Sequence, residues 1–240
     1  MTDEGPPEAQ HPLLVTTTWL ADSIEDNIEQ PDFVLIDCGE PVAYRRAHIP
    51  GAVGISVHPY LKAPDNSGLV MDAAEFEQLA RRLGISNDTP IVLYDDNASL
   101  HATRVWWVFD LYGHSDVRIV DGGFNAWLDE GWPLTSAPAS PQPGSFSARR
   151  DPSHMCSIDD LKSAVEGGAG PQLWDTRSDG EWSGEEDRGN QRAGRIPGAL
   201  HLEWARLMES PPGRQFRPLV EIRQLLLDAG INPEAETVTY

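Results

Sequence analysis

The chain has 240 residues, with 18 Lys+Arg against 38 Asp+Glu and a formal net charge of −20 at pH 7. That length suits one or two domains with buried cores, and 40% hydrophobic residues with 8 Trp exclude wholesale disorder. The acidity argues against a nucleic-acid backbone or an anionic membrane surface as the main partner, while leaving room for a local basic pocket that takes a small anion.

Residues 1–12 are polar and proline-bearing and read as a flexible tail. A helix is predicted over 18–28, then a strand over 33–37 and a short strand over 53–55. Over 72–83, Phe76, Leu79, Ala80 and Leu83 share one helical face. Asp72 is placed to cap that helix with Glu75 at its third position, and Gly84 supplies a left-handed stop. A strand follows over 91–94. Residues 102–113 are apolar nearly all round and predict a buried helix, ended by Gly113-His114. A strand over 117–121, Gly122-Gly123 and a helix over 124–130 complete a first domain, 13–135. The segment 136–150 opens with three prolines in nine residues, Ser136 to Gly144, and reads as an extended linker. Alternating strands and helices imply an α/β fold, a mainly parallel sheet covered on both faces, with sites at the C-terminal ends of strands.

From 151 to 240 the pattern repeats. Gln172-Leu-Trp-Asp175 answers Phe33-Val-Leu-Ile-Asp37, and Ile196-Pro197-Gly198-Ala199 answers Ile49-Pro50-Gly51-Ala52 at an offset of 147. A helix starting at Pro218 and closing on Gly230 answers the 72–84 helix at an offset of 146. Each closing glycine stands ten residues before a tyrosine, Tyr94 or Tyr240, at the end of a β-branched run. The second copy carries nine extra residues between its Asp and its Pro-Gly pair, a charged stretch around 184–192 that reads as a surface loop. The first copy runs on past Tyr94 to Gly131-Trp132-Pro133, whose counterparts would fall near 278. The second domain is therefore expected to be incomplete in this chain, within a parent of roughly 280 residues or more.

Two cysteines, Cys38 and Cys156, cannot build a disulfide framework. The acidic start has no signal-peptide pattern, and no run reaches the ~18 apolar residues that cross a bilayer. A reducing, cytoplasmic location is expected. No His-x-x-x-His or Cys-x-x-Cys pair offers a metal site, and no glycine-rich phosphate loop is present. Arg177, two residues past the strand-end Asp175, is a candidate for contact with an anionic substrate or for pairing with Asp175.

The ordered set of motifs resembles the tandem-domain rhodanese family, the thiosulfate and 3-mercaptopyruvate sulfurtransferases. Its marks are Ala47-His48-Ile49-Pro50-Gly51-Ala52, Val92-Leu93-Tyr94-Asp95, Arg104-Val-Trp106-Trp107, Asp121-Gly122-Gly123, Trp174-Asp175-Thr176-Arg177, Gly194-Arg195-Ile196-Pro197-Gly198-Ala199 and Thr237-Val-Thr-Tyr240. The resemblance implies two rhodanese-like domains. The catalytic cysteine is expected immediately after the second domain's Val-x-Tyr strand, hence after Tyr240, so that no catalytic residue lies in this chain and the chain alone is expected to be inactive. It implies a sulfane sulfur moved from a small anionic donor through a cysteine persulfide to cyanide or a thiol. No cofactor is needed, because the thiolate itself carries the sulfur. Asp95 occupies the catalytic position of the first domain, where it is expected to cap its loop or bind Arg104. Glu181 stands where many thiosulfate-active relatives carry a donor-binding arginine, which disfavours thiosulfate. Cys38 and Cys156 are expected to be structural, His48 and Arg195 to serve turns and interdomain packing, and Trp106-Trp107 to be core or interface. The alternatives are a non-catalytic binding or regulatory module, and a phosphatase- or arsenate-reductase-like relative that uses a longer cysteine loop.

Overall fold

In a computed structural model, which describes residues 11–25, 32–55, 57, 61–63, 70–167, 170–210 and 214–240, the alternating pattern becomes two parallel α/β units. Unit one holds the residues through His154 together with Arg214 and Gln215; unit two holds the rest. Most of the tail read over 1–12, and the end of the 18–28 helix, lie outside the described residues.

Unit one contains β1 (Leu14–Val15), α1 (Thr17–Glu25), β2 (Val34–Asp37), α2 (Pro41–Arg46), β3 (Val53–Gly54), α3 (Ala73–Arg82), β4 (Ile91–Tyr94), α4 (Leu100–Leu111), β5 (Val117–Val120) and α5 (Gly123–Asp129). Its sheet has the order β1-β5-β4-β2-β3, with every pair parallel. All four β4 residues are buried, as a central parallel strand with helices on both faces requires. Asp37 lies opposite Tyr94, so β2 and β4 end level. α3 begins as its sequence dictates. The Asp72 carboxylate accepts the Glu75 N–H at 2.8 Å, and Phe76, Leu79 and Ala80 are buried. Gly84 takes φ +84°, which admits a glycine readily and other residues only with strain.

α4 departs from the expectation of burial all round. It buries Ala102, Val105, Val108, Phe109 and Leu111, while Trp106 and Trp107 are half-buried. The reason is local chemistry. The Arg104 guanidinium lies 4.7 Å from the Trp107 ring centre, and the Trp107 indole N–H donates to the His154 carbonyl at 3.0 Å.

The segment 136–150 has no regular structure, and it is strapped along unit one. Gly144 donates to the Arg81 carbonyl, Phe146 to Ile85, Arg149 to Tyr112, and Arg81 Nε donates back to Phe146. The Phe146 ring is fully buried against Phe76, Phe109 and His114.

Unit two contains α6 (Ile158–Gly167), β6 (Gln172–Asp175), α7 (Asp179–Ser183), β7 (Leu200–His201), α8 (Leu219–Asp228) and β8 (Thr237–Thr239), with parallel strand order β7-β6-β8. β6, β7 and β8 take the places of β2, β3 and β4. The counterparts of the α3 core residues, Ile222, Leu225 and Leu226, are half-buried.

Candidate active site

The chain turns sharply after β4, and the turn is built around one side chain. Asp95, 1% exposed, follows Tyr94 directly. Its Oδ1 accepts the backbone N–H groups of Asn97 and Ser99 at 2.8 and 2.9 Å, and its Oδ2 accepts those of His101 and Ala102, both at 2.8 Å. Four amides thus point inward at the first turn of α4, where the helix dipole also favours negative charge. Ala98 and Ser99 adopt left-handed backbone, φ +53° and +63°, to aim them. Gly123 closes the far side, since a Cβ there would meet the Asp95 carbonyl oxygen at 2.2 Å. Of the two roles expected for Asp95, the geometry shows loop capping; Arg104 instead stands over Trp107.

The framework that leads into this turn recurs in unit two bond for bond. Ile49 N–H donates to the Tyr94 hydroxyl at 3.1 Å, and Ile196 N–H to the Tyr240 hydroxyl at 3.2 Å. Cys38 N–H donates to the Tyr94 carbonyl, and Thr176 N–H to the Tyr240 carbonyl. Ile55 N–H donates to the Asp37 carbonyl, and Leu202 N–H to that of Asp175. Each tyrosine therefore ties the Ile-Pro-Gly-Ala turn to the end of the strand that precedes the cradle position. This role of Tyr94 and Tyr240 was not read from the sequence. The matched strand-end tyrosines and matched tetrads were the available signal.

The two strand-end aspartates differ in one partner. Asp175 is fully buried and clamped by Arg177, whose Nε and Nη2 donate to its two oxygens at 2.9 and 2.5 Å while the Arg177 N–H donates to Oδ1. Burial pushes the Asp175 carboxyl up, and the Arg177 hydrogen bonds outweigh it and hold the group below the usual carboxylate range. Arg177 Nη2 also donates to the Gly194 carbonyl, and its guanidinium lies 5.2 Å from the Tyr240 ring centre. Asp37 has Gly39 in place of that arginine. Burial raises its carboxyl, with the Gly39 N–H and the Tyr94 hydroxyl only partly offsetting the rise.

The remaining candidates disperse. Cys38 is fully buried under the strand end, and burial together with Asp95 and Asp37 drives its thiol far above the ordinary range, which removes it as a nucleophile. Cys156 is exposed ahead of α6, whose first turn Ser157 caps through the Asp160 N–H. His48 is buried, with ring nitrogens 2.7 Å from the Tyr44 carbonyl and 3.1 Å from that of Ala137. Arg195 lies 4.3 Å over the Trp182 ring. Glu181 is spent in the α7 capping box with Ser178. His201, which the sequence reading passed over, stacks on Trp182 and reaches the Asp179 carboxylate at 2.9 Å. Among the described residues, no group of three His, Cys, Asp or Glu side chains is arranged to hold a metal ion, and no helix is long and apolar enough to cross a membrane.

Comparison with known proteins agrees with this architecture. The family model described as a rhodanese-like domain matches residues 20–130. The sulfur carrier protein TtuD of Thermus thermophilus is 35% identical over 243 aligned positions, which cover 96% of this chain and 82% of that protein. The thiosulfate sulfurtransferase of Corynebacterium glutamicum is 30% identical, covering 97% of this chain and 78% of the relative. The crystal structure of the 3-mercaptopyruvate sulfotransferase SseA of Escherichia coli superposes with a TM-score of 0.83 at 25% identity, over 95% of this chain and 87% of that one. These likenesses favour neither a stand-alone binding module nor a phosphatase-like relative. With its parallel α/β units and its paired strand-end tyrosines, the chain belongs to the rhodanese family of sulfurtransferases.

Proposed function

We propose that this chain forms the frame of a sulfurtransferase whose nucleophile is a cysteine in the position after Tyr240, and which draws on thiosulfate or 3-mercaptopyruvate in the cytoplasm. The observation that supports this is the duplicated framework around Tyr94 and Tyr240. In unit one the next residue, Asp95, places its side-chain oxygens among four inward N–H groups. A thiolate in the equivalent place of unit two has its charge stabilised and its pKa lowered by the same kind of cradle. Its sulfur attacks the outer sulfur of thiosulfate or the thiol sulfur of 3-mercaptopyruvate, and the S–S or C–S bond of the donor breaks. A new S–S bond forms, and sulfite or the pyruvate enolate leaves with the electron pair, the enolate then taking a proton. Cyanide or an acceptor thiolate next attacks the outer sulfur of the persulfide and releases the cysteine thiolate. Asp95 cannot carry a transferable sulfur, so unit one serves as scaffold. Arg177 borders the site; clamped to Asp175, it positions the strand end and presents positive charge to an anionic donor. Nucleic acid and membrane are not partners on this reading.

The test is cyanide-dependent thiocyanate formation. The 240-residue chain is expected to show no turnover with either donor, and a chain extended past Tyr240 by the parent gene's own codons, with cysteine first, is expected to turn over. Turnover by the 240-residue chain that survives repurification, or another residue than cysteine in that position of the parent gene, overturns the proposal.

A further inference from the structure

Unit one holds a cavity of about 410 Å³ between α2, β3 and α3. Tyr44, Ile55, Leu79 and Leu83 give it a mostly apolar wall, and Arg45 and Arg82 are the charged side chains in its lining. The wall is firmly held. The Tyr44 hydroxyl donates to the Ala52 carbonyl at 2.9 Å, and its ring stacks on His48 at 3.9 Å between centroids. Gly54 lets that ring lie against β3, where a Cβ would meet it at 2.8 Å. The two arginines are exposed, and among the described residues neither has a carboxylate partner. Arg81, their neighbour on α3, is by contrast held by Glu77 and the Phe146 carbonyl. In a chain of net charge −20, two guanidinium groups with no ion-pair partner among the described residues give this apolar cavity a local cationic edge.

We propose that this cavity binds a small organic anion, a carboxylate or sulfonate borne on an aromatic or branched aliphatic body. The body lies against Tyr44, Ile55 and Leu79, and the anionic group is taken by Arg45 and Arg82. Concave, mostly apolar sites with a few polar anchors are where such ligands bind, and the planar, weakly hydrated guanidinium suits carboxylate and sulfonate oxygens. Inorganic ions lack the apolar half and bind poorly here. The site is independent of sulfur transfer and of anything that follows Tyr240.

The test is an amide-resolved NMR titration of the whole chain with 3-phenylpropionate, its neutral amide 3-phenylpropanamide, and acetate. The acid is expected to shift the amides of Gly54 and Leu83 saturably and to bind about tenfold or more tighter than the amide or acetate. Arg45→Gln and Arg82→Gln are each expected to weaken the acid about threefold, and the double variant to erase its preference over the amide. Both positions are on the surface, and an unchanged unfolding midpoint checks that the variants fold. Equal binding of acid and amide, undiminished acid binding in the double variant, or no saturable shift at the cavity up to about 10 mM acid overturns the proposal.

Discussion

Asp37 and Asp175 occupy the same place in the two copies, and one neighbour reverses their electrostatics. Burial acts on both, but only Asp175 has an arginine two residues on, bonded to both its oxygens. The Asp37 carboxyl is therefore raised above 3.8 and the Asp175 carboxyl lowered below it. The signs for stability follow from which protonation state the folded chain prefers. For Asp175 the contribution is present above the unfolded value and is lost as pH falls through the depressed one. For Asp37 it is present below the unfolded value and is lost as pH rises through the raised one. Asp175→Asn is expected to destabilise unit two by about 2 kcal/mol at neutral pH, with the deficit shrinking on acidification. Asp37→Asn is expected to gain on the parent chain as pH rises. Urea unfolding of both variants between about pH 3 and pH 7 checks this, and parallel pH slopes would sink it. At this scale the sequence was legible in part. The spacing of Asp175 and Arg177 offered pairing as one of two roles for the arginine, but did not show that Asp175 is sealed from water or that Gly194 supplies a further acceptor.

The strap over 136–150 shows what local pattern cannot carry. Three prolines in nine residues reveal an extended backbone and say nothing of what lies beneath it. A single aromatic ring, Phe146, buried among Phe76, Phe109 and His114, pins the segment to unit one, and no periodicity surrounds it to signal burial. Phe146→Ala is expected to cost unit one about 3 kcal/mol, because it removes a buried ring from a packed cluster and leaves a cavity. A denaturant midpoint for unit one within error of the parent's would show that the strap is merely draped. α3 is the opposite case: its cap, buried face and stop were all written in adjacent residues, and the structure keeps each one. α4 lies between. Its apolar sequence predicted burial all round, but Trp107 finds a cation and a carbonyl partner at the half-exposed face, and these come from Arg104 and from a segment far along the chain.

Across the whole molecule the two units share a framework but not a depth of burial. β4 is paired on both sides and fully buried, whereas among the described residues β8 is paired with β6 alone and no α8 residue is fully buried. Hydrogen exchange is expected to reflect this, with amides of residues 91–94 exchanging at least about tenfold more slowly than those of 237–239. Equal protection of the two strands would contradict it. The sequence by itself determined the alternation of strands and helices, the caps and stops, and the duplication, because these depend on periodicities and residue chemistry within a few positions. Only the tertiary structure decided that Asp95 fills a ring of four amides, that Cys38 is shut away beneath it, and that each strand-end tyrosine reaches back to hold the Ile-Pro-Gly-Ala turn. Those outcomes depend on groups brought together from distant parts of the chain, where burial and hydrogen bonding settle which side chain meets which.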